Sequence, residues 1–296
     1  MIEVSHFVGL SGVGGVQRNF VEYINHQDLL NSRFKHKIYT LGKVDLQYQL
    51  PIEIFDIRNI INLFSLIKDV ISRRKVVHFY NNLASIKVFI FLFFIPVCNL
   101  VLHERGTIWN SPSSRGKLLQ FIAWKSSLII ANSSATKTML EKKFYVSSKK
   151  IRVLHNGINT TIKCKKRSRY SYAQTFRVGF IGRLDTPKGV HILIDAMRYL
   201  TKYNIQLVIA GDGPLRGVLK NQACSLKSIS FVGRVEEPYN FLSMLDLLVV
   251  PSIREPLGNV CLEAGLCKVP VLAANVDGLP EIIKDKTSGE LISPSK

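Results

Sequence analysis

Acidic residues are scarce in this 296-residue chain, 21 against 40 lysines and arginines, which leaves a net charge of +19. The excess is not a tail. Residues 1–160 carry 21 basic and 9 acidic side chains, and the remainder carries 19 and 12. Such a field favours phosphate, whether of nucleotides, nucleic acid or anionic lipid. Cysteine is also scarce. Cys98, Cys164, Cys224, Cys261 and Cys267 form no C-x-x-C pair, and the five residues between Cys261 and Cys267 match no common zinc spacing. They read as reduced thiols of a cytoplasmic protein. No apolar run reaches the ~18–20 residues of a membrane span. The most apolar stretch, 88–102, is broken by Pro96 and Asn99 and reads as a buried helix followed by a strand. Residues 1–8 read directly as a strand, so no signal peptide is expected.

A hydrophobic share of 47 % with 21 % charged residues excludes a disordered or disulfide-stapled chain. Short Val/Ile/Phe runs alternate with segments of helical period. The runs predict strands at 2–8, 36–40, 76–80, 97–102, 128–131 and 151–154, then at 177–181, 206–210, 229–232, 247–250 and 270–273. Helical period falls at 15–26, 135–143, 190–200 and 215–223. This alternation predicts an α/β protein with parallel sheets covered on both faces. A basic, aperiodic stretch at 163–176 reads as a linker, dividing domains 1–162 and 177–296.

Three glycine- or acid-bearing turns carry the chemical interest. Gly9-Leu-Ser-Gly12-Val-Gly14-Gly15 joins a strand to a helix, where backbone N–H groups can meet a phosphate. It does not satisfy G-x-G-x-x-G, and no acid ends the second strand, so a dinucleotide site is not supported. Gly182-Arg183-Leu-Asp-Thr-Pro-Lys188-Gly189 puts two cations before a helix, where they can grip a diphosphate or simply be solvated. Glu255-Pro-Leu-Gly-Asn-Val-Cys-Leu-Glu263 places one acid in a loop and the other on a helix starting near Asn259.

Together with His103, Gly211-Asp212-Gly213-Pro214, Phe231-Val-Gly233-Arg234-Val235 and Gly278-Leu-Pro-Glu281, these motifs resemble the retaining glycosyltransferases of family 4, which have the GT-B fold. That resemblance implies two Rossmann-like doubly wound domains facing across a cleft. It implies that Arg183 and Lys188, with the Gly14 and Gly15 backbone, hold the donor diphosphate. Leu257, Gly258, Asn259 and Val260 with Glu255 would meet the donor sugar and phosphates, Glu263 the ribose, and Arg234 and Val235 the base. His103 and Glu255 would face the reacting centre. No Asp-x-Asp occurs and no metal site is expected; the cations would do the metal's electrostatic work.

The implied function is transfer of a sugar from a UDP- or GDP-type donor to a hydroxyl acceptor with retained configuration, without a cofactor. The acceptor would be a saccharide or lipid-linked saccharide, in bacterial surface polysaccharide, lipopolysaccharide or capsule synthesis. A nucleotide-sugar epimerase on a similar scaffold stays open, as does an inactive remnant, because the family pattern continues past Gly289-Glu-Leu-Ile and the second domain reads as incomplete. Nucleic-acid binding lacks any accompanying motif. The basic clusters Arg73-Arg74-Lys75, Lys142-Lys143 and Lys149-Lys150, with apolar 88–94, suggest a peripheral place at the anionic inner face of the plasma membrane. Glu104 and Arg105, beside His103, receive no role.

Overall fold

The computed structural model describes residues 2–11, 14–26, 33–42, 44–45, 50–80, 94, 96–106, 113–162, 164, 175–284 and 286–294. The chain forms two compact units, 1–157 and 158–296. In the first, β1 (Ile2–Phe7), α1 (Gly15–Asn25), β2 (Phe34–Thr40), β3 (Ile54–Asp56), α2 (Ile60–Ile71) and β4 (Lys75–Tyr80) lead to β5 (Leu100–Glu104). Then come α3 (Ser113–Lys125), β6 (Leu128–Ala131), α4 (Ser134–Phe144) and β7 (Ile151–Val153). The seven strands lie in the order β3-β2-β1-β4-β5-β6-β7, and every pair is parallel.

Two helices of the first unit begin where the sequence supplies a side-chain cap. Asn59 accepts from the Ile61 N–H at 2.9 Å and Ser133 from the Thr136 N–H at 2.9 Å, so α2 and α4 each have a donor satisfied at their start. Leu66 and Val70 of α2 pack with Tyr39, Phe79 and Leu102 on one face of the sheet. Asp69 is buried on the same helix. It accepts from Ser5 Oγ at 2.7 Å, Tyr39 OH at 2.9 Å and Lys75 Nζ at 2.7 Å, which ties α2 to three adjacent strands. Lys75 also meets Glu3. It is therefore an internal counter-ion and not a surface cation, which corrects its place in the basic cluster.

The second unit runs β8 (Phe176–Ile181), α5 (Val190–Met197), β9 (Ile205–Ala210), α6 (Arg216–Gln222), β10 (Ile229–Gly233) and α7 (Pro238–Ser243). It continues with β11 (Leu247–Val250), α8 (Asn259–Leu266), β12 (Val271–Ala274), α9 (Leu279–Ile282) and β13 (Glu290–Ile292). Its six strands are parallel in the order β10-β9-β8-β11-β12-β13. Numbered within the unit this is 3-2-1-4-5-6, the doubly wound order. Alternation within a strand feeds two cores. Leu248 and Val250 join one apolar cluster while Leu247 and Val249 join the other, so the sheet is buried on both faces.

Several expectations need correction. Cys164 and Cys267 are disulfide-bonded, with Cα atoms 5.2 Å apart, so two of the five thiols are not reduced. Positions 103 residues apart in sequence give no spacing signal, and folding alone brings them together. The strand expected at 97–102 lies at Leu100–Glu104, so His103 stands inside it, not just past its end. The short strands β3 and β13 were not foreseen. Gly12, most of the apolar stretch 88–94 and most of the linker 163–176 lie outside the described residues. Among the described residues no helix is long and apolar enough to cross a membrane.

Candidate functional site

In the second unit β8 and β11 are neighbours, but the chain leaves them toward opposite edges of the sheet. The loops after them therefore emerge side by side at the carboxyl edge, where a doubly wound sheet takes its ligand. Residues 182–189 follow β8 and residues 251–258 follow β11. Backbone bonds stitch the loops together: the Ile253 N–H donates to the Pro187 carbonyl at 2.8 Å and the Arg254 N–H to the same oxygen at 3.2 Å. Close approach requires glycine here. Gly189 has φ 66°, and a Cβ on it would run into the Pro251 carbonyl oxygen.

This stitching brings Lys188 to Glu255, Nζ to Oε2 at 2.6 Å. Ser252 Oγ donates to the same carboxylate oxygen at 3.1 Å. Glu255 is buried and Lys188 half-buried. The Glu255 backbone is held from both sides, its N–H donating to Asp277 Oδ2 at 3.0 Å and its carbonyl accepting from Gly278 N–H at 3.0 Å. Arg254 Nη1 lies 3.1 Å from Asp277 Oδ1. Burial raises the Asp277 carboxyl and the Glu255 charge adds to this, while the backbone bond and Arg254 oppose it. Ser252 and Asp277 were missed in the sequence. A signal existed for Asp277, since an acid before Gly278 suits the left-handed φ of 47° that it adopts.

Gly258, with φ 92°, turns the chain into α8, and no side chain caps that helix. Leu257 and Gly258 are buried, Asn259 and Val260 half-buried, and Glu263 is buried in the second turn of α8. The start of α8 thus lies beside Glu255 in the chain, presenting a helix N-terminus of the kind that accepts anions. Cys261 is buried with its thiol pushed up to about 12, by burial first and by Glu255 next, so it is no nucleophile. Arg183 is exposed and ion-paired with Asp185, Nε to Oδ2 at 3.3 Å, rather than drawn into the Lys188 group. Arg234 is exposed and Val235 half-buried just past β10, two strands from β8 at the same edge.

In the first unit Gly14 is the extended residue before α1, and Gly15 opens that helix. His103 is buried, and its ring is stacked on His78 (centroids 5.3 Å apart, 4° between planes) and on Tyr80 (5.1 Å, 30°). Arg105 Nε donates to His103 Nε2 at 3.3 Å, so the imidazole proton sits on Nδ1, aimed at His78 Nε2 3.2 Å away. The row continues. His78 packs against His6 with centroids 5.4 Å apart, and His6 Nε2 meets His36 Nδ1 at 2.8 Å. Four of the seven histidines thus cross β2, β1, β4 and β5 in one line. Burial lowers His6, His78 and His103 well below the usual imidazole value, with the neighbouring imidazoles adding to this at His6 and His78 and Arg105 at His78 and His103, and burial also lowers His36. Only His103 of this row was singled out from sequence. Among the described residues no cluster of ligating side chains can hold a metal ion.

The chain matches two families along its length. Residues 164–296 match the family described as "Glycosyl transferases group 1", and residues 35–162 match "Glycosyltransferase Family 4". An uncharacterized glycosyltransferase of Methanocaldococcus jannaschii is 30 % identical over 206 residues, covering 64 % of this chain and 53 % of that protein. The capsular polysaccharide biosynthesis glycosyltransferase CapM of Staphylococcus aureus is 26 % identical over 123 residues, 40 % of this chain and 32 % of CapM. The chain spans about half the length, or less, of these curated relatives. In structure it is similar to Anabaena HepE, crystallised with UDP and glucose, with a TM-score of 0.77 and 19 % identity over 100 % of this chain and 87 % of HepE. The fold with two Rossmann-like sheets is that of HepE.

Proposed function

Since this chain belongs to glycosyltransferase family 4, with the GT-B fold, we propose that it transfers a sugar from a nucleoside-diphosphate sugar to a hydroxyl acceptor with retention of configuration. The observation that carries this reading is the Lys188–Glu255 pair at the carboxyl edge between β8 and β11, next to the start of α8. A cation, a carboxylate and a helix N-terminus together suit a diphosphate bearing a sugar.

Lys188 and Arg183 neutralise the diphosphate as it leaves, Lys188 by exchanging Glu255 for phosphate oxygen and Arg183 by leaving Asp185. The Gly14 and Gly15 backbone adds donors to the phosphates. Glu255, released from Lys188, and the backbone from Leu257 to Val260 orient the donor sugar. Glu263 accepts the ribose hydroxyls, and the backbone at Arg234 and Val235 meets the base edge. His103, neutral and fixed by stacking, contacts the sugar and does not act as an acid. The acceptor hydroxyl attacks the anomeric carbon as the sugar–phosphate bond breaks, and its proton goes to the departing phosphate on the same face. The cations supply the charge stabilisation of that step.

UDP- or GDP-sugars fit as donors and a saccharide or lipid-linked saccharide as acceptor; the likeness to CapM supports a place in surface polysaccharide synthesis. The place of action is the cytoplasmic side, with peripheral attachment to the anionic leaflet. Helix α2 supports attachment: Ile60, Ile61, Phe64 and Ile71 are exposed on it, beside exposed Arg58, Lys68, Arg73 and Arg74. Domains divide as 1–162 for the acceptor side and 177–296 for the donor, with 163–176 as the linker.

Calorimetry with UDP-, GDP- and dTDP-sugars tests the reading, using the wild type, Lys188→Ala and Glu263→Ala. One donor binds the wild type, and both variants lose affinity. Binding of none, or epimerisation or hydrolysis of a donor at the same rate with and without acceptor, defeats it.

A further inference from the structure

The first unit carries a cation that meets no acid among the described residues. Arg58, Arg183, Arg198, Arg216 and Arg254 each meet an aspartate. Arg105, one residue beyond β5, does not. Its Nε is taken up by His103 Nε2, its guanidinium carbon lies 5.9 Å from the centre of the Tyr80 ring, and its Nη1 is buried with no hydrogen-bond partner. Both neighbours are neutral, since burial holds the His103 imidazole unprotonated and raises the Tyr80 phenol. Burial also depresses the Arg105 guanidinium, and only Tyr80 opposes it. Leaving a buried N–H without an acceptor costs about 1–3 kcal/mol, and more for a charged group. A ligand that accepts from Nη1 removes that cost.

Position says where that ligand comes from. Tyr80 and His103 are directly paired across β4 and β5, at the carboxyl ends of both strands. That is the edge at which doubly wound sheets take ligands. The His103 ring packs against both His78 and Tyr80, whose own centroids are 4.4 Å apart, so it is fixed as it holds Arg105 by Nε, and Nη1 is left for the acceptor atom of an incoming group. A sugar hydroxyl satisfies an N–H but not the charge. A carboxylate or phosphate satisfies both, two oxygens to two nitrogens.

We propose that Arg105 binds an anionic group, a carboxylate or a phosphate, carried by the saccharide acceptor. The word acceptor rests on the glycosyl-transfer reading; the anion site rests on Arg105 and its neighbours alone. Titration of the full chain with glucuronate, glucose 6-phosphate and uncharged glucose tests it, with UDP as the reference ligand. One of the two anions binds at least tenfold more tightly than glucose. Arg105→Gln loses that margin, Arg105→Lys keeps part of it, and UDP affinity stays within twofold in both. Preference for glucuronate identifies a uronic-acid acceptor, and preference for glucose 6-phosphate a phosphate-bearing one. The proposal is overturned if neither anion exceeds glucose, if Arg105→Gln binds the anion like the wild type, or if UDP binding falls in parallel. Failure of the wild type to bind UDP, with anion binding still dependent on Arg105, defeats the transferase reading and leaves the anion site standing.

Discussion

Lys188 and Glu255, 67 positions apart in the chain, share an ion pair of 2.6 Å at the carboxyl edge of the second sheet. On the proposed reading the carboxylate occupies the cation that a diphosphate takes up, so it competes with an incoming donor. Lys188→Ala therefore lowers UDP affinity by about tenfold or more, the worth of one charge-assisted contact. Glu255→Gln acts in the opposite direction on UDP alone, strengthening binding a few-fold, about 1 kcal/mol, while sugar transfer falls. Calorimetry and a turnover assay on the same preparations check both signs. Weaker UDP binding by Glu255→Gln contradicts the competition.

Asp69 anchors α2 to the first sheet. Burial acts to raise its carboxyl, but the hydrogen bonds from Lys75, Ser5 and Tyr39, with the nearby Lys37 charge, hold it below the usual range. A depressed carboxyl contributes stability that is present above its unfolded value of ~3.9 and is lost as pH falls through the folded value. Asp69→Asn leaves Lys75 and two hydroxyls poorly matched and costs about 2–4 kcal/mol at neutral pH. Urea unfolding at pH 7 and pH 3 reads this, and the gap between wild type and variant narrows at the lower pH.

The histidine row titrates in a different window. His6, His78 and His103 are neutral when folded because burial lowers them, whereas in the unfolded chain each binds a proton below ~6.5. Stability therefore falls as pH drops below the unfolded value, by up to about 1.4 kcal/mol per pH unit for each group. Urea midpoints fall steeply between pH 7.5 and 5.5, and His78→Leu reduces the slope by about one group's share. A flat profile over that range rules out a buried neutral row.

Attachment through α2 has its own test. Flotation with vesicles containing phosphatidylglycerol brings the wild type to the lipid fraction at low salt. Phe64→Ser with Arg73→Ser and Arg74→Ser leaves most of the protein behind, because apolar insertion and about 1 kcal/mol per cation act together. Equal flotation of both, or none by the wild type, removes α2 as the attachment surface.

Period and apolar run were enough to read most of the fold. The LLVV run of β11 and the runs of β8 and β9 fall within two residues of their predicted positions, because parallel strands buried on both faces must be continuously apolar. The three-residue strands β3 and β13 escaped, since Ile54–Asp56 and Glu290–Ile292 are too short to show a period. The turns that carry Lys188 and Glu255 were legible as motifs because they combine glycine with charge within a few residues of each other. The Lys188–Glu255 contact, the Asp277 brace and the histidine row were not. Each joins elements far apart in the chain, and pairing between strands leaves no mark on local spacing. Strand register pairs His6 with His78 and sets His36 and His103 two residues off on the flanking strands, a diagonal that no local spacing shows.

The Cys164–Cys267 bond changes what one cut in the backbone can do. It closes a ring of chain that contains β8 to β11 and α8, and leaves β12 and β13 outside it. A protease that cleaves once anywhere between the two cysteines produces two polypeptides but not two molecules. The nicked protein runs as one species on a non-reducing gel and separates only when thiol is added. Coexpressed halves divided within that ring can be captured as one covalent product.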